Sequence, residues 1–164
     1  MSLPYYIPDC PSSLSVREAE CLQRWAEGKL VVEAGALLGF STIKLAQVAS
    51  RVISIDRHLN YTLPTLKQFK GNLVRAGVRD KVTIVVECCL SALPRYPAEF
   101  GFIDLTGQQR LTQLALEACQ APIVGVHDLH RPYCEGVETA IRKAGFEVLE
   151  AVDTLAICRR KIGG

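Results

Sequence analysis

The residues best suited to chemistry in this sequence gather around one turn. The stretch Val31 to Gln47, VVEAGALLGFSTIKLAQ, passes from a β-branched apolar run through Gly35 and Gly39 into the start of a helix. Glycines there let the backbone turn sharply and approach a ligand closely. Ser41 and Thr42 are placed to cap the helix and leave its first amides facing that ligand. The strand RVISID then ends in Asp56, roughly 20 residues beyond the turn, where a carboxylate can accept two hydrogen bonds from ribose hydroxyls. Together the turn and the acid point to an adenosine-containing ligand. The plainer alternative is a strand-to-helix turn that needs glycine only for its geometry, with Asp56 as a solvated strand-end carboxylate. A nicotinamide dinucleotide is disfavoured: its fingerprint GxGxxG reads GALLGF here, with Leu37 where a second glycine would admit a pyrophosphate.

These residues must be held by alternating strands and helices, because short apolar runs repeatedly give way to longer amphipathic segments. Ser15-Val16-Arg17-Glu18 offers a serine cap with a glutamate three residues on, opening a helix through Leu22, Trp25 and Ala26 that stops at Gly28. Strands are expected at Leu30 to Ala34, RVISID, KVTIVVE, FGFIDL, PIVGVHD, FEVLEAV and LAICRRK. Helices are expected at STIKLAQVAS, TLPTLKQFKGNLVRAG, QQRLTQLALEACQ and CEGVETAIRKAG. Crossovers of this length make successive strands parallel and right-handed, so the expected fold is α/β: a doubly wound, mostly parallel, seven-stranded sheet with helices on both faces. In such a sheet the ligand crevice lies beyond the carboxyl ends of the strands, where the connection direction reverses. The expected organisation is one domain over 30–164, preceded by an arm and helix over 1–29.

Composition narrows the classes. The 164 residues are 49% hydrophobic and 22% charged, enough for one packed core. The formal net charge is only +2 and the basic residues are scattered, so no nucleic-acid surface is indicated. No apolar run reaches the roughly 18 residues that a membrane span needs, and MSLPYYIPDCPSS lacks the order of a signal peptide, so the expectation is a cytoplasmic protein without a membrane role. Seven cysteines without a CxxC pair read as reduced thiols, with Cys21, Cys119 and Cys158 in apolar patterns. Asn60-Tyr61-Thr62 matches a glycosylation acceptor and reads as accidental.

Beyond the turn, the chain resembles the class I S-adenosylmethionine-dependent methyltransferases, in particular the small O-methyltransferase-like branch whose first motif reads like EIGTALGFST. VISIDRH, LKQFKGNLVRAGVRDKVTIV, LSALPRYPAEFGFIDL and VGVHDLHRPYCEGVETAI follow in the family's order, so the likeness runs from about Leu30 to Cys158. The resemblance implies S-adenosylmethionine as cofactor, with S-adenosylhomocysteine as product. It implies that Glu33 meets the methionine ammonium directly or through water, that Gly35 makes room for the cofactor, and that Asp56 holds the ribose. Ala36, Gly39, Ser41, Thr42, Arg57, Glu87, Cys88, Cys89 and Asp104 complete the implied cofactor contacts. The implied reaction is methyl transfer to oxygen of a small-molecule acceptor; the alternatives are a binding module that has lost its chemistry and, distantly, a nicotinamide-dinucleotide-binding protein.

Three departures from the family pattern bear on catalysis. Glu87-Cys88-Cys89 replaces a glycine-aspartate pair near the adenine, which lowers the expected affinity for the cofactor. Ile103-Asp104-Leu105-Thr106-Gly107 replaces IDGDH. After the fifth strand, His127-Asp128-Leu129-His130 puts leucine where catechol-type relatives have the amide of a magnesium site. Asp104 and Asp128 alone are a poor magnesium site, so no metal is expected, although a substrate bringing two oxygens of its own could complete the shell. The candidate catalytic residues are Asp104 and Asp128, which can orient an acceptor hydroxyl, and His127 or His130, which can take its proton. With little chain after the fifth strand, the acceptor is expected to be covered by the N-terminal arm, a second subunit or itself, which makes a homodimer one expectation.

Overall fold

The computed structural model describes residues 14–59, 64–105, 107–130 and 136–162. The N-terminal arm, Asn60-Tyr61-Thr62, Thr106, Arg131-Pro132 and the expected helix start at Cys134 lie outside these residues. Seven strands form one sheet: β1 (Leu30–Ala34), β2 (Arg51–Ile55), β3 (Val82–Val85), β4 (Phe100–Ile103), β5 (Ile123–Val126), β6 (Phe146–Val152) and β7 (Leu155–Arg160), in the order β3-β2-β1-β4-β5-β7-β6. Strands β1 to β5 are parallel, whereas β7 runs antiparallel to both β5 and β6. The last two strands close as a hairpin because only Asp153 and Thr154 separate them, and a parallel pair needs a crossover of a dozen residues or so. The hairpin places Thr154 beside the carboxyl end of β5, where the Leu129 amide donates to the Thr154 carbonyl at 2.8 Å.

Helices cover both faces, so the strands are apolar nearly throughout. On one side α1 (Val16–Ala26), α2 (Phe40–Val48) and α3 (Thr65–Arg75) pack Leu22, Ile43, Phe69 and Leu73 against Val31, Val52, Phe100 and Phe102. On the other, a short α4 (Cys89–Ala92), α5 (Gln109–Ala118) and α6 (Val137–Lys143) pack Ala92, Leu116 and Ile141 against Val32, Ile55, Ile103 and Val124. Val31 and Val32 thus serve opposite cores, as the two-residue period of a strand requires. Burying a side chain such as Phe69 stabilises the fold by about 2 to 3 kcal/mol. Cys21, Cys119 and Cys158 are buried free thiols in these cores, and burial pushes the Cys158 thiol up to about 12.

The first helix forms as its sequence dictates. Ser15 and Glu18 make a reciprocal capping box, the Glu18 amide donating to Ser15 Oγ at 3.2 Å and the Ser15 amide to Glu18 Oε2 at 2.6 Å. Helix α1 is then clamped onto the hairpin. Trp25 Nε1 donates to Glu150 Oε2 at 2.9 Å, Arg24 pairs with the same carboxylate, and Ser15 and Arg17 donate to Asp153. Helix α2 differs from expectation. It begins at Phe40, with Gly39 at its N-cap in the left-handed region (φ 94°), and no side chain caps it. The hydroxyls of Ser41 and Thr42 are used elsewhere.

Candidate functional site

The carboxyl ends of β1, β2 and β4, where a doubly wound sheet places its ligand crevice, meet at the Gly35–Gly39 turn, and β1 and β4 are neighbours there. Gly35 (φ 93°) is obligatory for a reason the sequence does not show: a Cβ on it would lie 1.9 Å from the Asp104 carbonyl oxygen. The Cβ direction at Gly35 is therefore filled by the main chain after β4. At Gly39 a Cβ would lie 2.8 Å from the Phe69 ring, so both glycines answer to packing as well as to φ.

Asp56 holds this turn from the next strand. Its Oδ2 accepts the amides of Ala36 and Leu37 at 2.8 and 2.9 Å, and its Oδ1 accepts the His58 amide at 2.6 Å. Leu37 and His58 are both left-handed, with φ 46° and 50°, a conformation that costs a non-glycine residue free energy. The carboxylate collects the amides that this geometry turns inward. Replacing Asp56 by alanine should therefore cost about 2 to 3 kcal/mol of stability. Urea denaturation measures this, and an unchanged midpoint would show the three amides to be satisfied by water.

Glu33 is fully buried, and Ser41 Oγ, Thr42 Oγ1 and Ser54 Oγ donate to its carboxylate at 2.6, 2.5 and 2.9 Å. Burial, only partly offset by these three donors, raises its pKa to about 7. This corrects the expected cap: Ser41 and Thr42 face inward from α2 and join β1, α2 and β2 through one carboxyl group. Glu33 itself has no exposed surface through which to reach a ligand.

Farther along the crevice, Arg57, Glu87 and Cys88 are exposed and Cys89 is half-buried. Glu87 pairs with Arg95. Hydrogen bonding from the Leu90 backbone, aided by Ser91 and Arg57, holds the Cys88 thiol below its ordinary value. The large apolar side chains Leu37, Leu59 and Val86, which follow the ends of β1, β2 and β3, are 51%, 61% and 48% exposed. Among the described residues, His58 Nδ1 is a buried side-chain nitrogen without a hydrogen-bond partner.

On the β4–β5 side, Asp104, His127 and Asp128 come together and His130 does not. His127 Nδ1 lies 3.2 Å from Asp104 Oδ1 and 3.3 Å from Asp128 Oδ1, and its Nε2 lies 3.2 Å from Thr154 Oγ1 and 3.5 Å from Glu18 Oε2. The imidazole is 0% exposed, against 22% for the Asp104 and 12% for the Asp128 side chain. Burial opposes charge on this ring, but the hydrogen bond to Asp104 and the charges of Asp104, Asp128 and Glu18 outweigh it, so its pKa is raised. Burial likewise pushes Glu18 up, yet bonds from Ser15 and Thr154 bring it below the usual carboxylate range. Asp104, His127 and Asp128 each place one potential metal ligand within 4.8 Å of the others. Leu129 is buried, and His130 is exposed in a left-handed turn (φ 60°). The sequence marks Glu18 as a capping glutamate but not as a partner of Thr154, 136 residues away, whose amide and hydroxyl both donate to Glu18 Oε1 at 2.7 Å.

No family model matches the chain. A catechol O-methyltransferase of Mycobacterium tuberculosis is 38% identical over 84 residues, which cover 48% of this chain and 36% of that protein, so the match spans little more than a third of the relative's length. Among solved structures, the O-methyltransferase of Bacillus cereus in complex with SAH superposes with a TM-score of 0.67 at 20% identity, covering 93% of this chain and 85% of that one. The O-methyltransferase TomG of Streptomyces achromogenes, involved in tomaymycin synthesis and solved with SAM, gives 0.65 at 19% identity, covering 94% and 83%. At such identities the likeness is one of fold. No helix among the described residues is long and apolar enough to cross a membrane.

Proposed function

We propose that this chain, which has the fold of the class I S-adenosylmethionine-dependent methyltransferases and resembles their small O-directed branch, binds S-adenosylmethionine and transfers its methyl group to an oxygen of a small-molecule acceptor. The observation that carries this reading is the Gly35–Gly39 turn at the β1–β4 switch point with the Asp56 carboxylate seated on it. What surrounds Asp56 supports an adenosine ligand. The exposed Leu37, Leu59 and Val86 offer apolar surface for a base. Asp56 would hold the ribose by exchanging part of its hold on the turn amides, and Glu33 would act from behind, by fixing β1, α2 and β2 together.

S-adenosylmethionine supplies an electrophilic methyl carbon. The chain supplies orientation, which is the larger part of such a transfer. An acceptor hydroxyl that received the methyl group would have to give up its proton. Asp104, partly exposed, and Asp128, buried but for 12% of its side chain, are the groups that can align the hydroxyl and receive the proton, directly or through water. His127, without exposed surface, can act only through them.

Transfer is expected to be independent of divalent metal. Thermal shifts should show stabilisation by S-adenosylmethionine or S-adenosylhomocysteine and none by NAD. A screen of hydroxylated acceptors, with and without EDTA, then tests turnover. Stabilisation by NAD alone would exclude the cofactor reading, and activity lost to EDTA and restored by magnesium would exclude metal independence. A second reading, cofactor binding without turnover, is favoured by Cys88 and Leu129 standing where relatives carry an acid and an amide; binding with no transfer to any acceptor would support it.

A further inference from the structure

We propose that His127 does the organising at Asp104 and Asp128 that a bound cation would otherwise do, and that Glu18 of helix α1 is the positioning residue that holds its ring. The inference rests on the reading of Asp104 and Asp128 as the acceptor-side acids. Two carboxylates at the ends of adjacent strands repel each other unless something positive or hydrogen-donating stands between them. Here His127 Nδ1 stands between them, hydrogen-bonded to Asp104 Oδ1 at 3.2 Å and 3.3 Å from Asp128 Oδ1, so that the ring bonds one carboxylate and faces the other. The residues do not fit magnesium, which asks for a near-octahedral set of oxygen ligands. Leu129 supplies no side-chain oxygen, and an imidazole nitrogen occupies the gap.

The ring is held from behind. Its Nε2 faces Thr154 Oγ1 at 3.2 Å and Glu18 Oε2 at 3.5 Å, and Glu18 Oε1 in turn accepts the Thr154 amide and hydroxyl. Every ionisable group that the described contacts place on this ring is therefore a carboxylate: Glu18 on one edge, Asp104 and Asp128 on the other. A relay of this kind makes the seating of α1 on the hairpin a condition for the geometry of the two acids, although α1 itself lies outside the crevice. Helix α1, which looks like a simple addition ahead of the sheet, becomes part of the site.

Two measurements test this on the full chain without any cofactor, so that failure here is distinguishable from failure of the methyltransferase reading. Titration of the wild-type protein with magnesium chloride, and separately zinc chloride, should show no saturable binding at submillimolar metal, and the nitrogen-15 spectrum of the His127 ring near neutral pH should show two N–H groups. In Glu18→Gln the glutamine keeps the capping box, so circular dichroism should retain α1 while the His127 ring signals move and one N–H signal is lost. Saturable metal binding that removes the Nδ1–H signal would overturn the proposal by making His127 a ligand. Unmoved His127 signals in Glu18→Gln would overturn the role of Glu18.

Discussion

Gly35→Ala is expected to cost more than about 4 kcal/mol of stability, placing it among the exceptional single substitutions. Two costs combine. The residue sits at φ 93°, where a Cβ is disfavoured, and that Cβ would lie 1.9 Å from the Asp104 carbonyl oxygen, a main-chain atom that cannot swing aside as a side chain could. The carbonyl belongs to the end of β4, which is fixed to its neighbours because the Asp104 amide donates to the Ala34 carbonyl and the His127 amide to the Ile103 carbonyl, both at 3.0 Å. Relieving the clash means parting β1 from β4 at the crevice. Gly28→Ala is the control, since Gly28 also has positive φ (71°) but nothing within 4 Å of its would-be Cβ. That variant should lose only about 1 to 2 kcal/mol. Urea denaturation of both measures the difference, and equal losses would show that Gly35 is needed for its φ alone.

The second large effect is a pH dependence carried by Glu33. Burial raises its pKa from 4.5 to about 7, so the folded protein keeps a proton that the unfolded chain releases between those values. Stability from this group is therefore fully present below about 4.5 and is lost as pH rises through about 7. The loss is on the order of 3 kcal/mol across that window. Glu33→Gln removes the titration while leaving a carbonyl oxygen for the hydroxyl donors. Thermal midpoints across this range should fall for the wild type and show no such slope for the variant; the same slope in both would assign it to another group.

Much of the fold is legible in the sequence because it is written in local patterns. Apolar runs alternating with amphipathic segments yield the five parallel strands, and Ser15 with Glu18 yields the capping box. The antiparallel hairpin follows from the two-residue gap at Asp153-Thr154. The site is less legible because it depends on pairs far apart in the chain. The glycine turn and Asp56 are visible as a motif, yet nothing local says that Asp56 accepts the turn's own amides, or that Gly35 yields to the carbonyl of Asp104. Ser41 and Thr42 look like caps because hydroxyls near a helix start usually are. The buried Glu33, eight and nine residues earlier, draws both inward. His127 and His130 look alike in sequence, and only the arrival of Glu18, Asp104 and Thr154 around the first makes it a buried, fixed ring while the second stays in solvent.

The most direct test of the account is a calorimetric titration of the chain with S-adenosylhomocysteine, repeated on Asp56→Asn, which retains an oxygen for the turn but lacks the charge. The account predicts saturable binding at one site in the wild type and affinity weakened by about ten-fold or more in the variant, as loss of charge-assisted hydrogen bonds requires. Absence of binding in the wild type, or equal affinity in the two proteins, would contradict it.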